Sequence, residues 1–195
     1  MTGSLRAAAT APLLLLLLLA ASACSSKQKP PPQPPPKHPD TVEAARQMAA
    51  RFLDPKADHR ALTLALRPRD EDYARVFVGA AAALAKKGYH KLWVVAARQP
   101  IRPRAHHTRV DLYKVKSDAI KAGDEKALAH FPAGYRRIAH HLKPGLSIYR
   151  FRFVASGKQA SLAFDGLYNI DGRWVLMPQP WRALDPPRHR RRRSH

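Results

Sequence analysis

Cysteine occurs once in these 195 residues, at position 24, which excludes an internal disulfide framework and any zinc site built on two thiolates. Acidic groups are scarce too: 14 Asp plus Glu stand against 35 Lys plus Arg, a formal charge of +21. The nine glycines are scattered, so the chain has no Gly-rich loop to cradle a phosphate and no dinucleotide fingerprint. A Gly-x-Ser-x-Gly elbow and a His-Glu-x-x-His pair are both missing, and with them two common signatures of hydrolytic chemistry. No apolar run reaches the ~20 residues of a bilayer-spanning helix. What is present is 45% apolar residues, enough for one ordinary core, and 18 prolines that fall mainly toward the two ends.

Arg6 is the only charge among residues 1–26, and behind it an apolar stretch contains seven consecutive leucines at 13–19. This is the pattern of a secretory leader. It ends in Ala21-Ser22-Ala23-Cys24, which closely resembles the lipobox of bacterial lipoproteins, with Ala21 standing where leucine is the commonest choice. The resemblance implies cleavage before Cys24, a diacylglycerol thioether on its sulfur and an acyl chain on the new amino group. The alternative is an ordinary signal peptide cut at Ala23 that leaves a free thiol; the position of the chain's lone cysteine favours the lipoprotein. Several acyl chains hold a protein stably where one would be marginal. Ser25 follows where an aspartate would resemble an inner-membrane retention signal, so the expected location is the cell envelope, favouring an outer membrane with the protein facing the periplasm. Nucleic acid is not an expected partner there.

Four segments follow from composition: a leader at 1–23, a lipidated N-terminus and Pro-rich linker at 24–39, a globular domain at 40–184 and an Arg-rich tail at 185–195. Polyproline II rises ~3.1 Å per residue, so the linker spans roughly 40 Å. The tail carries Arg188, Arg190, Arg191, Arg192 and Arg193 without apolar neighbours and is expected to remain solvated. Setting aside Arg6, Lys27, Lys29, Lys37, the tail arginines and Asp185 leaves 26 basic and 13 acidic residues at 40–184. An anionic envelope surface is therefore the expected contact: lipid headgroups, lipopolysaccharide or a cell-wall polymer. Each basic residue near such a membrane contributes about 1 kcal/mol. A coding bias toward arginine is the competing explanation.

Within the domain, Asp40 and Glu43 predict a capping box, with Val42, Ala45, Met48, Ala49 and Phe52 on one face of the first helix. A short helix is expected at 58–66. A third begins at Asp70-Glu71-Asp72, where acids suit the helix dipole, and is expected to stop at Lys86-Lys87-Gly88. Residues 92–97 read as a strand or a helix end. Residues 108–116 read as a strand and 117–142 as broken helix, with Ser117 as a cap. A two-residue turn at Ser156-Gly157 pairs Phe153 with Ala160, Phe151 with Leu162 and Tyr149 with Phe164, and it sets Arg150 and Arg152 on the other face. Asp171-Gly172 joins 167–170 to 173–177 in a second hairpin, and Asp165-Gly166 between them suggests a bulge that bends the sheet.

Helices followed by a bent antiparallel meander give an α+β class, with N-terminal helices packed on a curved C-terminal sheet. The order resembles the cone of nuclear transport factor 2 and the SnoaL-like proteins over residues 40–181. The run from Asp165-Gly166-Leu167 to Pro178-Gln179-Pro180-Trp181-Arg182 also resembles the ending of some uncharacterised bacterial lipoproteins. Neither resemblance carries catalytic residues across.

Candidate chemistry is sparse. His106-His107, His130 and His140-His141 lack a ligand spacing and read as surface residues, so no metal and no cofactor is expected. Arg150, Arg152 and Asp165 are the candidate ligand-binding residues, since arginine suits forked contacts with a carboxylate or phosphate. The competing reading is charge pairing across strands on an outer face. Trp174 and Trp181 read as core rather than ligand-stacking groups. Function is accordingly expected to be non-enzymatic: an envelope lipoprotein that binds a partner or a small anionic ligand. The alternative is a SnoaL-like enzyme using Asp111, Tyr113 or Asp165, which requires a concave pocket holding a buried carboxylate beside His or Tyr.

Overall fold

The computed structural model describes residues 37–155 and 161–184; the leader, Cys24, most of the linker, the Ser156-Gly157 turn and the Arg tail lie outside the described residues. In chain order the elements are α1 (Val42–Ala50) with a 3-10 turn at Arg51–Leu53, α2 (His59–Ala65), α3 (Asp70–Val76), α4 (Ala80–Ala96), β1 (Arg109–Lys116), α5 (Ser117–Lys121), α6 (Glu125–Leu128), α7 (Gly134–Ile138) with a 3-10 turn at Ala139–His141, β2 (Ser147–Val154), β3 (Ser161–Ile170), β4 (Arg173–Leu176) and α8 (Pro180–Leu184). The strands form one antiparallel sheet in the order β1-β2-β3-β4. The class is α+β, as the element order predicts.

Local chemistry accounts for most boundaries and corrects several. The cap of α1 is Thr41, whose hydroxyl accepts the Ala44 N–H at 3.2 Å, and not Asp40. Asp40 is drawn away by the sheet, accepting Ser147 Oγ at 2.8 Å and Tyr149 Oη at 2.7 Å. Asp58 caps α2 through the Ala61 N–H. Ser117 is no cap: it opens α5, and its Oγ accepts the Leu146 N–H from the loop before β2. The single helix predicted from Asp70 to Gly88 is two. Phe77 bridges to Leu142, Val78 donates to the His141 carbonyl and Lys143 to that of Val76, so the chain leaves the helix there and re-enters after Gly79 at φ 50°. Gly88 stops nothing. It lies inside α4, which takes up 92–96 as its last turns, and an added Cβ there would meet the Ala183 carbonyl oxygen at 2.7 Å.

The first hairpin forms, but two residues further along than the two-residue turn predicts. Phe153 faces Leu162 and Phe151 faces Phe164. A slip of two preserves the face of every side chain, which is why the face assignment survives the error. At Asp165-Gly166 the ladder jumps from Phe151↔Phe164 to Tyr149↔Leu167, leaving β3 one residue longer than its partner. This is the predicted bulge. Asp171 and Gly172 both take positive φ, 52° and 85°, as a tight hairpin turn requires.

One face of the sheet carries Tyr149, Phe151 and Phe153 of β2 with Phe164 and Trp174. Tyr149 meets Trp174 edge to face at 5.4 Å, Phe151 stacks on Phe164 at 5.4 Å, and Phe52 reaches Phe153 from the α1 side. On the other face Ile148 and Tyr168 are sealed off, with Tyr135 of α7 equally buried nearby.

Candidate functional site

At its centre the inner face is filled by the aromatic side chains of β2 and by Trp174. Tyr149, Phe151 and Phe153 are fully buried and Trp174 nearly so, while Leu162 and Phe164 are half-buried. Burying one such side chain stabilises a fold by roughly 1.5–3 kcal/mol, so opening a cavity among them would be costly. Trp181 packs on Tyr135 at 5.4 Å, and both tryptophans are packing groups, as expected.

Arg150, Arg152 and Asp165 share the opposite face but not one site. Arg152 donates to Asp111 Oδ2 at 3.0 Å and Tyr113 Oη at 3.2 Å, and its guanidinium lies over the Tyr113 ring. Asp111 also meets Arg109, and Tyr113 stacks on His130 at 4.0 Å. The Arg150 guanidinium bonds the His130 carbonyl oxygen. Arg152 thus makes the cross-strand charge pair of the competing reading, while Arg150 spends a donor on a loop carbonyl. Asp111 and Tyr113 are likewise held by Arg152.

Asp165 is different. Only 6% exposed, it accepts the Gln179 N–H at 2.7 Å and the Tyr135 hydroxyl at 3.2 Å, both through Oδ1. Burial raises its pKa, against the lowering pull of those two hydrogen bonds and of Arg150. Burial also pushes the Tyr135 and Tyr89 hydroxyls well above their ordinary range, so both remain neutral donors. Asp165 borders a cleft of about 360 Å³ between α4, β3 and α8, with Tyr89, Phe164, Gln179 and Arg182 in its wall.

The bulge is what places this carboxylate. With the extra residue in β3, the Gly166 carbonyl accepts the Met177 N–H at 2.8 Å, and a Cβ on Gly166 would strike the Met177 carbonyl oxygen at 2.1 Å. Tyr89 donates to the Pro178 carbonyl at 2.9 Å. Asp165 thereby pins the segment leading into α8, including Gln179, which is held at φ 50°. Its partners Tyr135 and Gln179, and Tyr89 beside them, lie on α7, on the segment before α8 and on α4, far apart in the chain, so the sequence gives no sign that they meet.

The histidines divide. His106 and His130 are exposed, but His107 is buried, its Nδ1 accepting the Arg104 N–H at 2.9 Å, which corrects its surface assignment. Among the described residues no group of three His, Cys, Asp or Glu side chains could hold a metal ion, and no helix is long and apolar enough to cross a membrane. Cys24 and the five tail arginines lie outside the described residues. The chain matches no protein-family model, no curated protein and no solved structure.

Proposed function

We propose that this chain is a lipid-anchored protein of the bacterial envelope whose α+β domain is a binding module rather than an enzyme. One observation carries the reading: the leucine-rich leader ends in Ala21-Ser22-Ala23-Cys24, placing the lone cysteine where lipidation requires it. On this account Cys24 carries the acyl chains, the Pro-rich linker spaces the domain from the lipid, and Arg188, Arg190, Arg191, Arg192 and Arg193 contact an anionic envelope surface. The outer membrane, facing the periplasm, is the favoured location. The cone resemblance belongs to the same proposal. A packed inner face supports binding at the periphery of the sheet over chemistry inside it.

The acid/base alternative keeps one supporting observation, the buried Asp165 with raised pKa at the edge of a cleft that includes Tyr89. Its two hydrogen bonds to Gln179 and Tyr135 favour a positioning role for the carboxylate.

Membrane fractionation of cells producing the chain and its Cys24→Ala variant tests the anchor. The parent chain should sediment with membranes through a high-salt wash and the variant should become salt-extractable; equal retention of both overturns the reading. For the tail, truncation after Leu184 should weaken retention on anionic liposomes, most at low ionic strength, since screening sets in within a Debye length of ~8 Å at physiological salt. Unchanged retention removes the tail from the account.

A further inference from the structure

Beside the Asp165 cleft lies a second one that is chemically distinct. β4 pairs only with residues 167–170 of β3, so residues 161–165 have β2 on one side and no strand on the other. The C-terminal half of α4 and the loop after it flank that open edge, leaving a cleft of about 410 Å³. That volume falls among small-molecule sites, which span roughly 300–1,000 Å³. Its walls are apolar: Leu92, Val95 and Ala96 of α4, Ile101 of the loop, Leu162 and Phe164 of β3. Leu92 is 36% and Val95 53% exposed, so the apolar wall continues to the surface, where an isolated protein would favour polar groups.

The mouth is basic. Arg102 and Gln99 belong to the lining, and Arg60 donates through Nε to the carbonyl of Ala97, the residue next to Ala96 in the wall. Among the described residues Arg102 has no carboxylate within ion-pairing distance. An apolar slot with one uncompensated guanidinium in its lining is complementary to an extended hydrocarbon ending in an anion.

We propose that this cleft binds a long-chain fatty carboxylate, with its chain along Leu92, Val95, Leu162 and Phe164 and its headgroup at Arg102. The proposal deepens the binding reading above by naming a ligand class. It moves the anion site from Arg150 and Arg152, which contact the His130 carbonyl and the Asp111–Tyr113 pair, to the end of α4. A ligand of this kind would be at hand for a protein held at a membrane.

The experiment uses the full chain carrying Cys24→Ser, so that no thioether lipid contributes and failure of the anchor leaves this result untouched. Titration calorimetry with myristate below its micellar concentration is expected to show saturable one-to-one binding. Arg102→Ala should weaken it about tenfold, the loss of one charge-assisted contact. Val95→Asp, at a half-exposed position that tolerates a polar residue, should abolish it with an unchanged circular dichroism spectrum. Arg182→Ala, in the neighbouring cleft, should leave it intact. The proposal is overturned if myristate does not bind saturably, if cationic tetradecyltrimethylammonium binds as tightly, or if Arg102→Ala and Val95→Asp both bind like the parent.

Discussion

Asp72 carries a carboxylate whose side chain is only 3% exposed, and it is held there by two donors from opposite directions. The Arg69 N–H reaches it from the start of its own helix, and the Arg173 guanidinium reaches it from β4 across the core. Truncating Arg173 would strand a buried charge, so Arg173→Ala should destabilise the domain by about 3 kcal/mol, read as a lower urea midpoint. Arg75 with Asp171, both mostly exposed, should matter far less; Arg75→Ala is expected to stay within about 1 kcal/mol of the parent. Asp165 ties stability to pH. Its folded pKa is raised above the unfolded value, so the folded state holds the proton more tightly and stability falls as pH rises from the ordinary carboxylate range through that raised pKa. Asp165→Asn retains an acceptor for Gln179 and Tyr135 without the buried charge. Its stability relative to the parent should therefore increase with pH across that window and then level off, as measured by urea unfolding at a series of pH values. A constant offset would mean that Asp165 does not titrate differently on folding. His107 runs the other way: burial, with His106 and Arg104 adding to it, lowers its pKa below 6.5, so its contribution is complete above that value and is lost as pH falls toward the folded pKa.

At the scale of elements, α8 shows how contacts between distant segments shape a short piece of chain. A five-residue helix has little stability of its own, and α8 persists because glycines let it approach. A Cβ on Gly134 would overlap the Trp181 ring at 2.1 Å, and one on Gly88 would meet Ala183. Gly134→Ala should displace Trp181, lowering stability by about 1–3 kcal/mol and shifting tryptophan emission toward that of solvent-exposed indole. Unaltered emission would show that α8 is not seated against α7. The same dependence on distant contacts separates what the sequence disclosed from what it hid. The Asp171-Gly172 turn and the Asp165-Gly166 bulge were legible because each follows from neighbouring residues. The break at Phe77 was not, since it answers to His141, Leu142 and Lys143, more than sixty positions away. Gly88 looked like a helix stop because sequence alone does not reveal Ala183 beside it. The hairpin register slipped by two because period-two alternation fixes faces and leaves the turn length open. For the candidate site, Asp165 was legible and Tyr89, Tyr135 and Gln179 were not, because only folding around the bulge gathers them.

For the whole molecule, charge and attachment are one problem. An excess of 26 basic over 13 acidic residues at 40–184 gives the domain a positive field that salt will screen, while acyl chains at Cys24 would hold it to the membrane at any ionic strength. Two modes of retention with different salt dependence are therefore expected from one chain. The proposed attachment falls to Cys24, the lone cysteine, at the end of the leucine-rich leader. Intact-mass spectrometry of the protein extracted from producing cells tests this most directly. The account predicts a chain beginning at Cys24, heavier than residues 24–195 by a diacylglyceryl group and one acyl chain, with the added mass absent from Cys24→Ala. A chain recovered at the unmodified mass, whether of residues 24–195 or of 1–195, would contradict it.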